Sequence, residues 1–294
     1  MVKKISEHQQ DANDLRIIHK DKLSVVLNVL VKISAFITMA VLIIMIAYIL
    51  ITGIPNITLD QFSLEYNTEN VSMMPAIINT LLYTVLSLLI ALPLGIGSAI
   101  YLVEYAKKGS KFVEIVRLTT ETLSGIPSII FGLFGYLFLC IFCGLGYSLL
   151  SGVITLSIII LPLIMRTTEE ALKAVPDSYR EGSYGLGAGK VRTIFKIILP
   201  SAVGGILNGI ILSIGRIVGE SAALIYTAGT LPNIALNVMK SGRSLSVHMY
   251  ALLSEGLYTN QAYATAVVLL LMVMLINFAS NKIVKHMGGK NEQN

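Results

Sequence analysis

The chain has no tryptophan, two cysteines among 294 residues, and few charges: Asp, Glu, Lys and Arg make up 13%. Soluble domains carry about 25% charged residues, so this one lacks the polar surface a soluble particle of its size needs. Cys140 and Cys143 stand in an apolar stretch with no second pair and no nearby histidine. They read as small packing residues rather than metal ligands or a redox pair. No H-E-x-x-H or G-x-S-x-G occurs, and His8, His19, His248 and His286 are scattered on or near loops and tails, so no catalytic or metal-binding residue is assigned. A nucleotide site is missing too. Gly185-x-Gly187-x-Gly189-Lys190 approaches a phosphate loop, but Tyr184 stands where the first glycine belongs and Val191 follows the lysine. The first 22 residues lack the apolar core and small-residue cleavage site of a secretory signal and read as a retained cytosolic tail.

What the chain does have is apolar residues, 54% of the total, gathered into long blocks. A span needs about 20 of them to cross roughly 30 Å of hydrocarbon. Six blocks qualify: 23–54, 76–103, 125–145, 149–165, 201–226 and 262–283, the fourth at the lower length limit. Pro93 and Pro162 lie inside spans and are expected to kink them. Lys and Arg alternate between the connections. The N-terminal tail has five, 53–75 none, 104–124 four, 146–148 none, 166–200 six, 227–261 two, and the C-terminal end three. The expectation is an all-α integral membrane protein with both termini cytosolic. Tails at 1–22 and 284–294 flank a six-span domain at 23–283, with a cytosolic loop at 166–200. The net charge of +5 follows from this sidedness and points to no nucleic acid. The long outer connection 227–261 contains a helical stretch, 245–257, that lies on or dips into the outer face.

Ionisable residues within spans are costly and usually functional. Arg216 and Glu220 are spaced i, i+4 in the fifth span, and Arg166 and Glu169 i, i+3 at the inner end of the fourth. On continuous helices each couple shares a face. Two Arg–Glu couples fit a path for an anion; the competing role is a structural ion pair locking spans together. Gly205-xxx-Gly209 and Gly215-xxx-Gly219 read as close helix contacts. Ser124 is expected to cap the third span.

The loop 166–200 carries the most specific signal. A short helix beginning at Pro176 or Asp177, a glycine turn and a second helix ending at Pro200 place Leu186, Val191, Ile194, Phe195 and Ile198 among charges, as a face for a partner. Glu181-Gly182-Ser183, three residues, Gly187, nine residues, then Ile197-x-Leu199-Pro200 resembles the EAA loop of ATP-binding-cassette import permeases, whose pattern is Glu-Ala-Ala, three residues, Gly, nine residues, Ile-x-Leu-Pro. Gly182-Ser183 replaces the two alanines and should weaken the helix.

Asn79-Thr-Leu, Ala91-Leu-Pro-Leu-Gly-Ile96, Ala99-Ile-Tyr-Leu-Val-Glu-Tyr105, Ser124-Gly-Ile-Pro-Ser128 with its apolar sequel, Arg166-Thr-Thr-Glu169 and Arg216-Ile-Val-Gly-Glu-Ser221 narrow the resemblance, over about 79–228, to phosphate-specific import permeases of the A type. The resemblance implies a six-helix bundle of the type I importer kind in a bacterial or archaeal cell membrane. It further implies a heterodimer with a C-type permease, an ATPase dimer that binds the ATP and Mg this chain does not, and an external phosphate-binding protein. Arg166, Glu169, Arg216 and Glu220 match positions the family implicates in transport. Two alternatives stay open: another oxyanion (molybdate, sulfate or phosphonate), or a scaffold or sensor that binds the ATPase without conducting.

Overall fold

The computed structural model describes residues 22–107 and 109–288. Most of the N-terminal tail, Lys108 and the last six residues, on which several of the sidedness charges fall, lie outside them. Two compact bodies divide the chain, one ending at Ile51 and one starting at Thr52. No strand occurs among the described residues.

The described part of the first body is α1 (Lys22–Gly53) as far as Ile51, with Leu30, Phe36, Ile44 and Ile51 exposed along it. Such a surface suits hydrocarbon and little else.

The second body contains α2 (Met74–Tyr105), α3 (Lys111–Gly125), α4 (Ser128–Phe142), α5 (Leu149–Ala174), α6 (Asp177–Gly185), α7 (Lys190–Gly219), α8 (Ala222–Thr227), α9 (Leu245–Glu255) and α10 (Thr259–Gly288). Helices α1, α2, α5, α7 and α10 are each long and apolar enough to cross a bilayer; α3 and α4 make a sixth span if counted as one, bent by 100°. The bend comes at Ile126-Pro127. Pro127 forces extended backbone on Ile126 and has no N–H with which to continue a helix. Ser124 therefore does not cap a span. Its hydroxyl donates to the Glu121 carbonyl one turn back, at the end of α3.

Helix α5 is the hub. It runs to Ala174 rather than stopping near residue 165, because Glu169, Glu170, Ala171, Leu172 and Lys173 are good helix formers with one apolar side. Toward its N-terminus it packs Leu156, Ile160 and Ile164 against Tyr83 of α2, Ile217 of α7 and Leu224 of α8. Toward its C-terminus it packs Met165 and Leu172 against Ala99, Leu102, Val113, Ile198 and Ile206. Pro93 and Pro162 both lie within their helices.

Contact between α5 and α7 depends on two glycines. A β-carbon on Gly205 would lie 2.6 Å from that of Ala171, and one on Gly209 would collide with the Thr167 side chain. Gly215 and Gly219 have open space instead, so only the first of the two glycine pairs is a packing motif.

Polar side chains on α2 hold the outer connection. Asn79, fully buried, donates to the carbonyls of Asn233 (2.9 Å) and Arg243 (3.1 Å) and accepts from Ala235 N–H (2.9 Å). Tyr83 donates to the Gly242 carbonyl at 2.8 Å, and Thr80 accepts from Leu245 N–H at 2.8 Å. In a low-dielectric setting each of these is expensive to leave unmade, so the loop is fixed to the bundle. Helix α9, expected from the sequence, starts on Ser244, whose hydroxyl accepts from Val247 N–H, and ends on left-handed Gly256.

Candidate functional site

The four charged residues singled out from the sequence occupy two stations, and neither pairs as expected. Helix α7 ends at Gly219, and Glu220 has extended backbone (φ −74°, ψ 123°), so i, i+4 spacing no longer brings Arg216 and Glu220 onto one face. The Glu220 carboxylate is nearly buried and accepts from Ala223 N–H at 3.1 Å, holding the first turn of α8. The Ser246 hydroxyl donates to the Glu220 carbonyl, so the break is also held from the outer connection. Arg216 is half-buried in the last turn of α7, where a cation suits the helix dipole. Among the described residues no carboxylate pairs with it.

At the inner station Arg166 pairs with Glu170 (3.0 Å, both exposed), not with Glu169. Glu169 is buried and receives Arg117 of α3 (2.6 Å) and Lys173 one turn on (2.7 Å). Both Glu169 and Glu170 are within reach of position 166 on a helix, and burial decides between them. Glu169 turns toward α3, where Arg117 arrives across the bend, while Arg166 and Glu170 stay outside. A cavity of about 150 Å³ between α3 and α5 is lined by Arg117, Arg166 and Lys173 with Glu121, Glu169 and Glu170. Its charges balance, so it is a polar vestibule rather than a cationic trap. Sequence reasoning missed Arg117, counting it only as a cytosolic charge. The apolar Val113, Val116 and Leu123 on α3, all packed in the core, were the available sign that this helix docks on the bundle.

The antiparallel contacts place the stations in depth. Gly205 opposes Ala171 and Gly209 opposes Thr167, so Arg216 lies level with residue 160 of α5. That is six residues along α5 from Arg166, ~9 Å at 1.5 Å per residue.

In the loop, Glu181 and Gly182 are exposed on α6, and Gly187 takes φ +80° just past its end. Ser183 is buried, its hydroxyl 2.8 Å from that of Thr193. Where the family pattern has alanine, this chain ties α6 to α7. The apolar residues of the loop divide. Leu186, Val191 and Phe195 are exposed with Tyr184, whereas Ile194 and Ile198 are fully buried in the permease, so the five do not form one face. Ile197 lies within a π-helical turn over Ile194–Ile198, and Leu199 and Pro200 follow it at the start of the regular helix. Cys140 is buried beside the Thr227 carbonyl and packs as expected, while Cys143 is exposed.

Outside the spans, His248 is fully buried and Arg243 is 4% exposed, with the Arg243 guanidinium 4.8 Å above the Tyr66 ring. Burial, and then the Arg243 charge, push the His248 imidazole down to about 3 from its usual 6.5. An unfolded chain takes up this proton near pH 6.5 and the folded one resists it, so the stabilisation is present above pH 6.5 and is lost as pH falls toward 3. Between pH 7.5 and 5.5 the loss is about 1.4 kcal/mol. We expect melting in detergent to shift down over this interval by more in the wild type than in His248→Asn; equal shifts would contradict the assignment.

Described residues that are helical without a strand, with a broken membrane helix, a charged vestibule and an exposed loop between two spans, have the features of a transporter's membrane half. The chain belongs to the family described as binding-protein-dependent transport system inner membrane components, whose model matches residues 91–290. It is a multi-pass permease subunit of an ATP-binding-cassette transporter, a class that works with a partner permease, an ATPase and a substrate-binding protein. Among its relatives, the probable ABC transporter permease protein YqgI of Bacillus subtilis is 31% identical over 84% of this chain and 90% of its own length. The phosphate transport system permease protein PstA of Yersinia pestis is 36% identical over 74% of both chains. In fold the chain resembles a bacterial alginate ABC transporter (TM-score 0.67, 17% identity, 92% of this chain and 98% of that one). It also resembles the inward-facing MetNI methionine transporter (TM-score 0.57, 23% identity, 72% and 93%).

Proposed function

We propose that this chain is the A-type permease half of an importer of inorganic phosphate, working with a C-type permease, two ATPase subunits and an external phosphate-binding protein. The observation that carries the reading is Arg216. It is a half-buried guanidinium at a helix break with no carboxylate to neutralise it among the described residues, which is the state an anion site needs when empty. The names of its relatives give phosphate as the anion.

The anion enters from the outer connection, meets Arg216, and leaves through the vestibule where Arg166 sits. Glu220, engaged with α8, keeps a negative charge nearby and limits affinity so that release stays fast. Cytosolic α6, Gly187 and the exposed Leu186, Val191 and Phe195 form the surface on which an ATPase seats. ATP and Mg are bound there and not in this chain. The distribution of Lys and Arg supports a cytosolic position for both chain ends.

The test is uptake of labelled phosphate by the four-component complex in vesicles supplied with ATP inside. Phosphate is expected to accumulate, and excess sulfate or molybdate to compete weakly. Equal competition by either anion would replace the cargo. Retained ATPase with no uptake of any of the three would favour a scaffold or sensor.

A further inference from the structure

One guanidinium joins α6 to two membrane helices. Arg180 lies in the first half of α6, its side chain 15% exposed. Its Nε and Nη2 donate to Glu104 Oε1 at 3.1 and 2.8 Å. Nη2 also donates to the Leu172 carbonyl (3.0 Å) and Nη1 to the Val175 carbonyl (2.9 Å) and to Asp177 Oδ1 (3.2 Å). The Glu104 side chain is only 5% exposed and sits in the π-helical last turn of α2, Tyr101–Tyr105. Leu172 and Val175 mark the inner end of α5.

This is not an ordinary surface ion pair. The carboxylate is withdrawn from water, and the fork geometry of arginine satisfies acceptors on three elements at once, which a lysine ammonium cannot match. A π-helical turn is a rare way to end a helix and is frequent at functional sites. Here it carries the one acid that receives Arg180 from α2.

Ser183 and Thr193 bind α6 to α7, so a push on α6 already has a route to α7. Among the described residues α6 itself makes no other hydrogen bond or ion pair to α2; the start of α7 adds only Lys190, 4.7 Å above the Tyr105 ring. We propose that the Arg180–Glu104 pair is the positioning contact that makes α2 and α5 follow α6 when the ATPase moves it. The proposal rests on the reading of α6 as the ATPase seat. Both residues act through the helices they join; neither touches cargo.

The experiment uses the complete complex in vesicles and measures phosphate imported per ATP hydrolysed. Glu104→Gln keeps the shape and an acceptor oxygen but removes the charge. We expect the ATPase to remain bound, hydrolysis stimulated by the binding protein to continue, and import per ATP to fall roughly fivefold, within the range of single contacts along a coupling route. Glu104→Asp, which keeps the charge, should recover part of the ratio. Arg180→Lys, which keeps charge but loses the fork, should show the same uncoupling to a smaller degree. A wild-type ratio in Glu104→Gln and Arg180→Lys would overturn the proposal. So would import and hydrolysis falling in equal proportion, the mark of a merely structural role. A Tyr184→Cys crosslink to the ATPase separates the two readings. With the crosslink present, an unchanged ratio removes the role of the pair alone; with it absent in the wild-type background, the ATPase seat is wrong and the pair's role falls with it.

Discussion

Phosphate uptake by an Arg216→Gln complex is expected to fall to about a tenth of wild type or less, with the ATPase still bound and the permease still assembled. A charge-assisted hydrogen bond to an anion contributes about 1.5–3 kcal/mol, and each 1.4 kcal/mol is tenfold. The substitution should not damage the fold, because Arg216 is half-exposed and no described carboxylate is orphaned by its loss. Arg216→Lys should fall between the two, since an ammonium keeps the charge without the planar fork. Glu220→Gln should have a smaller effect on uptake, because an amide oxygen still accepts from Ala223 N–H. Uptake at the wild-type level in Arg216→Gln would remove Arg216 from the path.

The second large effect concerns folding. A β-carbon on Gly132 of α4 would lie 2.8 Å from Ala223 Cα and 3.2 Å from its carbonyl oxygen. Those atoms are backbone of α8 and cannot rotate away. Gly132→Val should therefore cost about 3 kcal/mol or more, and yield little folded permease. The control is Gly204→Ala in α7, where nothing lies within 4 Å of the added carbon. It should be neutral or stabilising by up to about 1 kcal/mol, since alanine favours helix over glycine. Thermal melting and the monodisperse fraction after purification compare the two. Similar stability of both variants would mean that α4 and α8 do not pack this closely.

Much of this architecture is legible in the residues. Long apolar blocks give the spans because a bilayer accepts little else, and the loop is recognisable because glycine, proline and a glutamate recur at set distances. The pairing of charges is not legible in the same way. The Arg216–Glu220 spacing assumes a helix that continues, and whether it does is decided elsewhere: by the Glu220 carboxylate turning to Ala223 and by Ser246 reaching the Glu220 carbonyl from the outer connection. Likewise nothing local to α5 says that Glu169 will take Arg117, a residue 52 positions earlier. Helix α3 was passed over as a connector because it is amphipathic rather than apolar throughout. Hydropathy finds what faces lipid and misses what lies against the bundle.

The glycine seam between α5 and α7 has a kinetic consequence. With Gly205 seated on Ala171 and Gly209 on Thr167, neither helix can slide along the other without driving side chains into backbone. The interval of ~9 Å between the levels of Arg166 and Arg216 is then a constant of the molecule. On the proposed path, no stroke of α5 past α7 can shorten that interval, so the anion's passage between the two arginines has to proceed without one.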